Sequence, residues 1–138
     1  MGTQQILLIV LGVIIVGVAV TIALVVFGTN AEQANKDALT HDCLKLVSNA
    51  QAYFKKPTML GGGNNTFDGI TIRDCGMETN GSGEGQNLSG TFSVIDASTS
   101  TISIEGVSAS NDAQSVLVTV DMTQTDPAQR LSVQYTGW

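Results

Sequence analysis

The sequence predicts an α+β protein: a long N-terminal α-helix, apolar and then amphipathic, packed by a small C-terminal antiparallel β-sheet head. Three observations carry this. From Ile6 to Phe27, 22 residues run without a charge, an amide or a proline. Further on, Leu39, Cys43, Leu46, Ala50 and Tyr53 are spaced 4, 3, 4 and 3 apart, the spacing of one helix face. After Pro57, short stretches alternate apolar and polar residues between Gly-, Ser- and Asn-rich connectors.

The apolar run comes first. A helix rises about 1.5 Å per residue, and about 20 apolar residues cross the hydrocarbon of a bilayer. The run is too long for the roughly 7–15 apolar residues of a cleaved secretory signal. No Lys or Arg precedes Lys36, and no Ala-x-Ala follows Phe27. The segment is therefore expected to be kept. It lacks the Trp/Tyr belts and Lys/Arg flanks that commonly mark permanent anchors. Gly12, Gly17, Ala19 and Ala23 are small enough to let other helices approach closely.

The helical pattern then changes without stopping. Val47 and Phe54 widen the Leu39–Tyr53 stripe, while Asp37, Asp42, Lys45, Asn49 and Lys55 fall largely outside it. Pro57 disfavours helical geometry at Lys56 and ends the helix. Three segments result: an apolar helix over 1–27, an amphipathic helix over 28–56, and a β-rich head over 57–138.

In the head, ITIR at 70–73 alternates briefly between two Gly-rich loops. Strands are expected at Gly90–Asp96, Thr101–Val107, Ser115–Met122 and Arg130–Tyr135. The connectors ASTS, SASNDA and TQTDPAQ read as turns, the last marked by Asp126-Pro127. These segments make an antiparallel sheet of four or five strands with one face on the helix stripe. Cys43 lies on that stripe, and Cys75 follows ITIR. In a chain that leaves the cytoplasm the pair is expected to form a disulfide; in a cytosolic protein two free thiols would be ordinary. The bond would close a loop of about 33 residues and contribute on the order of 3–4 kcal/mol in the chain-entropy model.

Composition excludes several functions. All 12 acids and 6 bases lie from Glu32 onward, and the net charge is −6. Nucleic acid, which requires clustered Lys and Arg, is not an expected partner. The glycine-rich GGGNN and GSGEGQ are followed by no Lys-Ser/Thr and no helix, so neither reads as a phosphate loop. His41 is the only histidine and reads as a solvated helix residue. Asp68, Asp74, Glu78 and Glu84 match no calcium-loop spacing. No catalytic residue, metal or cofactor is expected. Asn64, Asn80 and Asn87 each begin an N-x-S/T tripeptide in a loop and are candidate glycosylation sites.

A neutral aliphatic N-terminal helix continuing into an amphipathic half that carries a small β-rich head resembles the type IV pilins. The resemblance covers about Met1 to Phe54 in pattern, together with the layout of the rest. The chain departs from the family in having Gln5 where the usual acid stands, and no proline in the middle of the helix. A neutral, glutamine-bearing start is more like the archaeal members. The resemblance implies either a basic leader ending in Gly that is removed before Met1 or, with Met1 as the true start, a different route of export.

The resemblance implies the major structural subunit of an extracellular filament, stored in the membrane before assembly and handled by pilus assembly machinery. It implies a homopolymer without enzymatic activity, serving adhesion, attachment or motility. Met1, Gln5, Ile6, Ile9, Val13, Val16, Val20, Leu24 and Phe27 would form its core contacts. The rival expectation is a single-pass membrane protein whose periplasmic or extracellular head binds a partner.

Overall fold

The computed structural model describes residues 2–138. One helix, α1, runs from Gly2 to Lys55. Gly28 and Asn30 sit within it without a break. By internal contacts the chain divides into two units, Met1–Ala34 and Asn35–Trp138. The first is helix alone. The second contains the rest of α1 and a five-stranded sheet.

The strands are β1 (Gly85–Gln86), β2 (Gly90–Ala97), β3 (Thr101–Ser108), β4 (Ser115–Asp121) and β5 (Leu131–Thr136). Their order in the sheet is their order in the chain, and every neighbouring pair is antiparallel. A four-residue helix, α2 (Pro127–Arg130), precedes β5. Proline at its first position forgoes an amide that would have had no partner there. Asp126 caps it by accepting a hydrogen bond from the Ala128 amide at 3.0 Å.

The helix stripe is buried as its spacing requires. Leu39, Cys43, Leu46, Val47 and Ala50 share one apolar cluster with Phe92, Ile102, Ile104, Val116, Val118 and Val120. Strand alternation puts the sheet residues of that cluster on one face. The contact is close at Gly106 of β3. A Cβ there would lie 2.8 Å from Cys43 Sγ and 2.9 Å from Phe92 Cε1. Glycine at this position lets the helix stripe settle on the sheet.

The C-terminus of α1 is closed by the loop that follows. The amides of Gly63, Asn65 and Asn64 donate to the carbonyls of Tyr53, Phe54 and Lys56 at 2.9, 2.6 and 2.9 Å. These are carbonyls that a helix end leaves without internal partners. The loop reaches them because Asn64 and Asn65 adopt left-handed backbone angles, φ 51° and 66°, which Asn tolerates better than most residues. Phe67 then packs on Phe54, ring centroids 4.7 Å apart.

Two sequence expectations, ITIR as a strand and the disulfide, need correction. ITIR is not a strand. The Asp74 carboxylate accepts from both the amide and the hydroxyl of Thr71, which curls 71–75 into a turn. Ile70 and Ile72 are buried nonetheless. The strand before β2 is instead Gly85–Gln86, inside the second Gly-rich loop. Strand β2 carries a bulge between Val94 and Asp96, and Ile95, on the face away from Phe92, is exposed. The expected Cys43–Cys75 disulfide is not formed; both residues are buried free thiols. Cys43 Sγ faces the Val116 carbonyl at 4.0 Å. The Cys75 carbonyl is held by Asn49 at 2.6 Å, at a helix residue about 9 Å further along the axis than Cys43.

The connection into β5 is pinned by Asp121. It accepts from the amide and hydroxyl of Thr123 at 2.8 and 2.6 Å. These bonds hold its carboxyl below the usual carboxylate range. A lowered folded-state pKa gives stability that is present above the unfolded value near 3.9 and lost as the pH falls through the folded value. Acid titration of the wild-type protein is therefore expected to loosen this turn, and Asp121→Asn is expected to flatten the pH dependence there, as read from Thr123 amide exchange.

Gly106→Ala is expected to lower stability by about 1–3 kcal/mol through overpacking. Denaturation of the full chain in detergent, followed by the fluorescence of Trp138, measures it.

Candidate functional site

The residues expected to form assembly contacts lie in the first unit. Ile6, Ile9, Val13, Val16, Val20, Leu24 and Phe27 are all exposed, Val13 at 67% and Phe27 at 71%. Met1 lies outside the described residues. The expected stripe is not singled out, however. Leu7, Leu11, Ile14, Ile15, Ile22 and Val25 are exposed to a similar degree. The segment is apolar around its whole circumference, so the exposed surface is wider than the eight described residues named from the sequence.

The few polar groups in this unit are handled in two ways. The Thr21 hydroxyl donates to the Val18 carbonyl at 2.7 Å, and that of Thr29 to the carbonyls of Val25 and Val26 at 3.2 and 3.0 Å. Both are satisfied within the helix and expose no unmet donor. Gln4 and Gln5 carry amides that cannot be satisfied in this way. Among the described residues, neither has a side-chain hydrogen bond within the chain. Buried against apolar neighbours, each amide would need a partner from outside the chain. The described helix is long and apolar enough to cross a membrane.

At the start of the second unit, Asn35 and Lys36 tie α1 to the sheet and to the C-terminal residues. The Asn35 amide donates to the hydroxyls of Ser108 and Ser110 at 2.6 and 3.2 Å. The Lys36 ammonium lies 4.2 Å from the ring centroid of Tyr135 and 5.8 Å from that of Trp138. The Trp138 indole donates to the Ser115 carbonyl at 3.1 Å. Sequence periodicity gave no sign of these contacts, since all of them fall outside the apolar stripe.

The three candidate glycosylation residues differ. Asn64 is exposed in its left-handed turn. Asn80 is exposed, and its Oδ1 accepts from the amides of Ser82 and Glu84. Asn87 is committed on both sides. Its Nδ2 donates to Asp42 Oδ2 at 2.8 Å, while its Oδ1 accepts from the amides of Ser89 and Gly90. Nδ2 is the atom that would carry a sugar, and at Asn87 it is already engaged. Of the other polar candidates, His41 is exposed, with Nδ1 3.9 Å from Asp42. Among the described residues, no group of three His, Cys, Asp or Glu comes together.

Burial pushes both thiols up to about 12, with the charges of Asp42 and Glu105 adding at Cys43 and that of Asp74 at Cys75. A raised folded-state value means that their contribution to stability is intact below the unfolded value near 8.5 and is lost as the pH climbs toward 12. Both thiols are expected to resist alkylation at pH 8 in the folded chain and to react fully in denaturant. Rapid labelling of the folded chain, read by mass spectrometry, would contradict this burial.

Compared with known proteins, the chain matches no family model, no curated protein and no solved structure.

Proposed function

We propose that this chain is the major structural subunit of a helical extracellular filament of the type IV pilus kind. Its apolar N-terminal helices would be bundled at the centre and its β heads placed outside. The observation that carries the reading is the apolar circumference from Ile6 to Phe27, exposed on every side. A helix apolar all round must be enclosed all round. Lipid can do this before assembly, and sister helices can do it afterwards. Burial contributes about 25 cal/mol for each Å² removed from water, so a shared bundle would hold each subunit firmly.

Several features fit bundling. The segment has no charge to oppose a neighbour, and its glycines and alanines allow close approach. The unpartnered amides of Gln4 and Gln5 would find partners at the neighbouring helix tips. Gln5 brings a hydrogen bond to the position where the resembled family usually has an acid. The reading assigns no catalysis and no cofactor, and names copies of this chain, the membrane and assembly machinery as partners. A single-pass anchor is the second reading, favoured by a helix long enough to span a bilayer. The absence of Trp, Tyr, Lys and Arg flanks around Ile6–Phe27 weighs against it.

Val13→Lys and Val16→Asp are expected to abolish filaments. A charge at the centre of an apolar span costs about 2.5–3.5 kcal/mol on insertion scales. Electron microscopy of material sheared from cells reads the result, and circular dichroism in detergent checks that the sheet is intact. Filaments of normal abundance from these variants would overturn the reading. So would a wild-type chain found only as single molecules in detergent or membrane.

A further inference from the structure

We propose that the outer edge of β5 pairs with β5 of a second copy, antiparallel and about a two-fold axis at Val133. The two edges of the sheet differ. At one, β1 is two residues long. At the other, β5 pairs with β4 without interruption over all six of its residues. On its far side, β5 has no backbone partner among the described residues.

Exposed sheet edges are normally blunted by charge, proline or a bulge, because bare amides and carbonyls invite another strand. Leu131–Thr136 reads LSVQYT and contains no charge and no proline. Its register with β4 shows no bulge.

Side chains point the same way. Leu131, Val133 and Tyr135 oppose Val120, Val118 and Val116, so they continue the core-facing side of the sheet. The helix stripe does not cover them as it covers β4. Leu131 remains 38% exposed and Tyr135 47%. Beside them lies a groove of about 370 Å³, lined by Leu44, Val47 and Gln51 of α1 and by Pro127, Arg130 and Leu131. Lys36 sits over the Tyr135 ring and orients it.

The strand is complementary to itself. About an axis at Val133, Leu131 faces Tyr135 of the second copy, and Val133 faces Val133. Ser132 faces Gln134. Aromatic–aliphatic pairs and β-branched pairs directly opposite each other stabilise antiparallel ladders, and no like charges are brought together. The contact is isologous, the same patch on both copies. Among the described residues, no other strand offers a free edge of this length, and an edge with no charge to repel its own copy is matched to a second copy and not to an unrelated strand.

Six residues of strand edge are small beside the roughly 1,200 Å² or more of a stable interface. One such contact is therefore weak, but many in parallel are not. Resting on the filament reading, the consequence is lateral bundling: heads on neighbouring filaments pair edge to edge.

Cysteine cross-linking of the full chain in detergent tests the pairing and its register. Val133→Cys is expected to give a disulfide-linked dimer under a mild oxidant. Leu131→Cys alone is expected to stay monomeric, and Leu131→Cys with Tyr135→Cys to dimerise. The native thiols, being buried, leave wild type monomeric. A monomeric Val133→Cys chain, or equal dimer from Leu131→Cys, overturns the proposal. In filament preparations, Val133→Lys is expected to abolish bundles while filament length is unchanged, and bundles that persist overturn it. Filaments without cross-linking would leave the assembly reading standing and remove this one; cross-linking without filaments would do the reverse.

Discussion

The constraint on which this molecule depends is the absence of any cover for the first half of α1. From Ile6 to Phe27 the apolar side chains are exposed on every side, and none of the described residues encloses them. The hydrophobic effect is indifferent to direction, so it does not choose between lipid and sister helices. It does dictate that the unit is never at rest in water alone. Threonine hydroxyls turned back onto their own helix keep the surface free of unmet polar groups. The amides of Gln4 and Gln5 concentrate the remaining polar demand at one end.

The second unit solves the complementary problem. Its stretch of α1 is apolar on one stripe, and the sheet covers that stripe. Close approach depends on a residue without a side chain at Gly106 and on thiols small enough to be enclosed. Around this core, polar contacts fix the position of the helix: Asn35 on Ser108, Asn49 on the Cys75 carbonyl, Asn87 on Asp42. Each pairs a helix side chain with a loop or strand end. They locate the stripe on the sheet, while burial supplies most of the stabilisation.

Much of this was legible in the sequence, and what was not has physical causes. Helix periodicity marked Leu39, Cys43, Leu46 and Ala50 as core, and alternation marked β2 to β4. These signals survive because burial acts on every residue of the pattern. ITIR has the alternation of a strand, but the Asp74 side chain offers the backbone a competing turn. Gly85–Gln86 has no alternation to read. The disulfide was inferred from compartment and count, which say nothing of how two buried thiols are placed in a core. The stripe named between Ile6 and Phe27 is not set apart from its equally exposed neighbours, because the run has no polar face against which a stripe could be read.

The sheet has a further consequence, through its connectivity. Its strands lie in the order in which they are synthesised, and every crossing is a local antiparallel turn. Closing short loops costs little entropy, and chains rich in local contacts reach their native topology quickly. The meander can zip up strand by strand as soon as it emerges, with only the docking of the Leu39–Ala50 stripe requiring a distant partner. A head that matures this way spends little time with raw strand edges on view, while the oily leader that precedes it is still being accommodated.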